Sequence, residues 1–170
     1  MARPLFYLVL AAMLGNAAAA RPKSAARQSA AALSSGGNAD ADWTSLGATA
    51  CAKYFTPNIL AALLPGPGTP KTRSAKSCTV EANGGNIQLS LASESIASFN
   101  AGVKFLPDTM PLRGVGDRAV QDAVGITAYK RPNRVCTINL VGNGGFFKQS
   151  GPQLGRTLGA VCNALFAANP

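Results

Sequence analysis

Four cysteines, Cys51, Cys78, Cys136 and Cys162, in a chain of 170 residues without a single histidine, constrain this fold more than any other feature. An even cysteine count suits structural disulfides in an oxidising compartment, whereas a metal site needs close ligand pairs. Here no two cysteines are close in sequence, no Cys-x-x-Cys occurs and histidine is missing. Neither a zinc site nor a thioredoxin-type redox motif is indicated. Four cysteines allow three connectivities, and the surrounding periodicity selects among them. Cys136 shares a strand face with Ile138 and Leu140, and Cys162 lies on the apolar stripe of a terminal helix. Cys51 stands just ahead of the first helix, and Cys78 shares a strand face with Val80 and Ala82. The expected bridges are therefore Cys51–Cys78 and Cys136–Cys162, each closing a loop worth roughly 3 to 4 kcal/mol.

The N-terminus supplies the oxidising compartment. Residues 1–20 read as a secretory signal: Arg3, an apolar run from Leu5 to Leu14, helix-breaking Gly15-Asn16, then Ala18-Ala19-Ala20 before Arg21. The run is too short to span a bilayer, so no transmembrane segment is expected in the mature form. Residues 21–42 are rich in Ala, Ser and Gly and hold almost no large apolar side chain, the composition of a disordered leader. Trp43 is the first core anchor, and a single domain is expected over residues 43–168. The location that follows is periplasmic or secreted.

Within that domain, Thr56-Pro57 is a helix start, Ile59, Leu60, Leu63 and Leu64 share one face, and Pro65-Gly66-Pro67-Gly68 ends it. Thr69 to Ser77 reads as a basic loop. Cys78-Val80-Ala82 and Ile87-Leu89-Leu91 alternate as two strands around Asn83-Gly84-Gly85. Ser93 is expected to cap a short helix with Ile96 and Phe99 inward and Gly102 as its stop, followed by a Pro-punctuated loop from Phe105 to Leu112. Arg118–Gln121 is a short strand, and residues 126–130 and 134–141 form a hairpin closed by Arg131-Pro132-Asn133. Leu154, Leu158, Val161, Cys162, Leu165 and Phe166 have helical spacing. The fold class is α+β: a mostly antiparallel sheet of about five strands packed with helices, in the order α-β-β-α-β-β-β-α, with two disulfides.

The lack of histidine excludes Ser-His-Asp and Cys-His nucleophilic sites, histidine-ligated metals and histidine general bases. The remaining acids of the domain are Glu81, Glu94, Asp108, Asp117 and Asp122, with nothing to say which two would converge. Gly114-Val115-Gly116-Asp117-Arg118-Ala119 matches G-x-G-x-x-A by letter, but prolines precede it and a strand follows, so it is not a dinucleotide fingerprint. No catalytic set, metal or cofactor is expected. Removing Arg3 with the signal leaves fifteen Lys and Arg against 7 Asp and Glu, a balance that suits anionic envelope polymers. Lys130, Arg131 and Arg134, with Tyr129 beside them, form a candidate anion-binding cluster at a hairpin tip; a charged hairpin that only blocks edge pairing is the plainer reading. Phe146-Phe147-Lys148 is either a contact patch or a cover for the sheet.

Cys51 with Phe55-Thr56-Pro57, Cys78-Thr79-Val80, the Val115-Gly116-Asp117-Arg118-Ala119 turn, the paired strands and the closing helix resemble a class of small exported bacterial proteins of unknown function. Similar domains occur in actinobacterial lipoproteins and in periplasmic proteins of Gram-negative bacteria. The resemblance covers most of residues 51–166. It implies an α-β layered fold similar to the photosystem-associated PsbP type and brings no catalytic residues. No cysteine stands at the cleavage point, so the lipid anchor of the lipoprotein members is not expected here. The function expected is a non-enzymatic binding or accessory protein of the cell envelope, its partner an anionic polymer or a protein. A histidine-free glycan hydrolase using a carboxylate pair and an immunity- or inhibitor-type protein are the alternatives.

Overall fold

The computed structural model describes residues 42–143 and 145–169; the segment read as export signal and most of the leader lie outside them. A helical turn over residues 42–45 leads into helix α1 (Gly47–Tyr54) and α2 (Pro57–Leu63). Strands β1 (Thr69–Ser74), β2 (Ser77–Ala82) and β3 (Gly85–Ser93) follow, then α3 (Ile96–Val103). Strands β4 (Met110–Pro111), β5 (Arg118–Gln121), β6 (Gly125–Lys130) and β7 (Arg134–Gly142) precede the long α4 (Gly151–Ala168). All pairings are antiparallel, and the 7-stranded sheet has the order β1-β2-β3-β7-β6-β5-β4. Two meanders thus meet along a central β3–β7 seam.

Side-chain alternation sorts this sheet into two unlike faces. Cys78 and Val80, Ile87, Leu89 and Leu91, Ile126 and Ala128, and Cys136 and Ile138 are all buried against one core with α1, α2 and α4. Trp43 belongs to the same core: fully buried, it stacks on Phe166 at 5.4 Å and its indole N–H donates to the Ala92 carbonyl at 2.9 Å. The opposite face is polar over Thr79, Gln88, Ser90, Thr137 and Asn139, which share its parity through the β2–β3–β7 register. One end of it is covered by α3, which sets Phe99 against Tyr129 and Val135.

Cys51 is bonded to Cys78, joining α1 to β2, and Cys136 to Cys162, joining β7 to α4. Both bridges lie in the main core, where all four residues are at most 1% exposed.

Seven strands replace the expected five or so, and the element order changes with them. The basic loop is the edge strand β1, whose six residues are all exposed. A solvent-facing edge strand has no apolar alternation to reveal it, and its Pro70, Lys71 and Arg73 are residues that keep an edge from pairing with another chain. The Pro-punctuated loop contains the two-residue β4. Cys51 sits inside a helix rather than ahead of one; α1 starts without a side-chain cap, so it carries no sequence signal at its N-terminus. Ser93 is the last residue of β3, paired with Arg134, and Ser95 caps α3 by accepting the Ser98 N–H at 3.1 Å. That shift leaves Ile96 at the first helical position, 42% exposed instead of inward. Phe146 and Phe147 meet edge to face at 4.9 Å and pack against the main core, so they cover the sheet.

Candidate functional site

The β6–β7 hairpin brings the basic cluster to one end of the sheet. Alternation sends consecutive residues to opposite faces, so Tyr129 and Lys130 part company. Tyr129 goes under α3, where its ring lies 5.5 Å from Phe99 and its hydroxyl donates to the Pro132 carbonyl at 2.7 Å. Arg134 is directly opposite Lys130 on the helix-covered face and is 7% exposed. Its guanidinium donates to the carbonyl of Asn169, at the end of α4. A cation there complements the negative end of the helix dipole.

A loop folds onto the hairpin from the side. Asn163 of α4 clamps it, accepting the Gly116 N–H at 3.0 Å and donating to the Gly114 carbonyl at 2.7 Å. Gly116 has φ +55°, and a Cβ there would stand 2.3 Å from the Tyr129 carbonyl oxygen, so only glycine fits. The next residue, Asp117, donates its N–H to that Tyr129 carbonyl at 2.8 Å. Its Oδ2 accepts the Arg131 backbone N–H at 2.9 Å and Nε at 3.2 Å, and Lys130 Nζ lies 3.5 Å from Oδ1. The Arg131 backbone N–H above all, then the Arg131 side chain and the charges of Lys130 and Arg131, hold the Asp117 carboxyl below the usual carboxylate range.

Two grooves flank the hairpin as a result. One, of about 510 Å³, lies between the hairpin, the Gly114–Gly116 loop and the last turns of α4, and is lined by Lys130, Arg131 and Arg134. The other, of about 750 Å³, lies towards α3; Tyr129, Arg131, Asp117 and Arg118 contribute to its walls. Three of the four residues picked out in the sequence share the first groove, and Tyr129 belongs to the second. Sequence reasoning missed Asp117 as the carboxylate that organises the cluster and Arg118 as a member of it. Arg118 is opposite Tyr129 in the β5–β6 register, a relation that becomes visible only once the strands are paired.

Two of the other acids, Glu81 and Asp122, are engaged elsewhere. Glu81 pairs with Lys71 and with Arg73, the latter at 2.8 Å, and the Lys71 hydrogen bond leads the causes that lower its pKa. Asp122 accepts the Val124 and Gly125 N–H groups at 2.9 and 2.8 Å. Glu81 and Asp117 sit four strand positions apart in the sheet, roughly 19 Å at ordinary strand spacing. Among the described residues no three His, Cys, Asp or Glu gather as a metal-ligand set, and no helix is long and apolar enough to cross a membrane. Comparison with known families, curated proteins and solved structures finds no match to this chain.

Proposed function

We propose that this chain is an exported, non-enzymatic protein of the cell envelope that binds an anionic ligand or polymer at the β6–β7 hairpin. The observation that carries the reading is the convergence of Lys130, Arg131 and Arg134 on one groove, with Asp117 the carboxylate bonded to that cluster. Export is supported by the N-terminal signal pattern together with two fully buried disulfides. The resemblance to small exported bacterial proteins belongs to the same reading. Against a carboxylate-pair hydrolase stand the wide spacing of Glu81 and Asp117 and their lowered pKa values, since a general acid needs a raised one.

Retention on a heparin column under a salt gradient tests the reading. The double variant Lys130→Gln/Arg131→Gln should elute at clearly lower salt than Lys53→Gln/Lys76→Gln, which changes net charge equally at positions outside both grooves. Equal elution of the two variants would show that retention comes from bulk charge, and the site would be lost.

A further inference from the structure

The groove towards α3 differs from its neighbour in chemistry, and the difference identifies a ligand. Its volume, about 750 Å³, falls in the range of small-molecule sites. Its floor is apolar. The Tyr129 hydroxyl is already engaged by the Pro132 carbonyl, so the residue offers the groove ring carbon and no free polar atom. Pro132 continues this surface, and Ile96, 42% exposed at the first position of α3, completes it. Ile96 shares a helix face with Phe99, three residues on, but stands at the very start of α3, so Phe99 is covered and Ile96 is left at the groove.

The rim carries two guanidinium groups, those of Arg118 and Arg131, and one carboxylate, Asp117, which Lys130 and Arg131 already pair. Arg131 is steered to the groove by its bonds to Asp117, and Arg118 reaches the same groove from β5. The Arg118 side chain makes no ion pair or hydrogen bond among the described residues, so its guanidinium donors are open to a ligand. The positive end of the α3 dipole points the same way, with Ser95 and Ile96 both lining the groove. Glu94, next along the chain, does not line it.

We infer that this groove binds a single-chain amphiphile with an anionic head, its alkyl or acyl body on Tyr129, Pro132 and Ile96 and its head at Arg118 and Arg131. The inference rests on the anion-binding reading above and narrows it. A free inorganic anion would leave the apolar floor in water, and a neutral amphiphile would leave Arg118 without a partner. Only a ligand joining the two properties satisfies both surfaces.

Calorimetric titration with octyl phosphate below its micelle concentration, octyl glucoside and inorganic phosphate separates these contributions. Octyl phosphate should bind one to one, and each half-ligand at least ten-fold more weakly. Arg118→Gln and Ile96→Asp should each weaken octyl phosphate at least ten-fold, whereas Lys76→Gln should not. An aspartate suits the first turn of a helix, so Ile96→Asp is expected to fold, and its melting curve verifies that. Either half-ligand binding as tightly as octyl phosphate overturns the inference, as does unchanged affinity in Arg118→Gln. Should octyl phosphate fail to bind while the heparin difference between the variants persists, the amphiphile site falls and the anion-binding reading stands. Loss of both results removes the two together.

Discussion

Replacing Cys136 and Cys162 together by alanine removes a bridge that spans 26 residues, from β7 to α4. Restoring that loop's freedom to the unfolded chain costs about 3.5 kcal/mol of stability in the chain-entropy model. Both residues are 0% exposed, so the lost sulfur atoms leave small voids that add about 1 kcal/mol. A domain of this size has an unfolding entropy of ~0.27 kcal/mol/K, so the double variant should melt about 17 °C lower. Urea unfolding followed by Trp43 fluorescence measures the loss directly, because the single tryptophan is fully buried against Phe166 of α4. The m-value should rise as well, since the unfolded chain expands without its cross-link. The Cys51–Cys78 bridge spans 27 residues and does not overlap the first, so its removal should cost nearly the same and the two costs should add. Together they amount to about 7 kcal/mol or more, against a typical total of 5 to 15. A loss below about 1 kcal/mol for either pair, with m unchanged, would refute the claim that loop closure is what these bridges supply.

Three further outcomes follow from the loop that grips the hairpin and from the helix over it. Gly116→Ala puts a Cβ against the Tyr129 carbonyl at positive φ and should destabilise by about 2 to 4 kcal/mol in urea unfolding, because the atom in the way is sheet backbone rather than the end of a flexible side chain. Gly102→Ala has the opposite sign: a Cβ there meets nothing within 4 Å, and α3 should gain about 0.5 kcal/mol, read in the same experiment. Asp117 carries a pH dependence. Its folded pKa lies below the ordinary 3.8, so the stability it contributes is complete above that value and is lost as pH falls through the lower folded one. Melting temperatures between pH 5 and pH 2 should accordingly fall less steeply in Asp117→Asn than in the parent chain, and parallel curves would show that the carboxylate contributes nothing.

The parts of this fold that could be read in the sequence are those with a buried face and a marked end. β2, β3 and β7 alternate around a core, the Asn83-Gly84 turn closes a hairpin, and α4 carries an unbroken apolar stripe. Periodicity put Cys136 on a strand and Cys162 on a helix facing one core, and left Cys51, read as standing ahead of a helix, to pair with Cys78; both bridges form, although the helix that holds Cys51 was not legible. Elements without these signals were illegible. β1 has no buried residue, β4 is two residues long, and α1 has no cap. At the site, Lys130, Arg131 and Arg134 could be picked out because they crowd one turn. Asp117 and Arg118 could not, since their roles come from a loop that Asn163, far along the chain, holds against the hairpin.

The β3–β7 seam has a consequence for assembly. Each disulfide lies within one half of the molecule, Cys51–Cys78 among the elements up to β3 and Cys136–Cys162 among those after α3, so neither crosses the seam. Its nine residue pairs, from Gly85 with Gly142 to Ser93 with Arg134, join the two halves non-covalently, together with the shared core in which Trp43 stacks on Phe166. Neither bridge therefore needs the seam in order to form, and closing the loop of roughly forty residues at the near end of the seam is left to non-covalent docking. A chain nicked between β3 and β4 would still hold two internally bridged fragments with complementary edges. In that sense the protein is a heterodimer whose partners happen to be joined by α3.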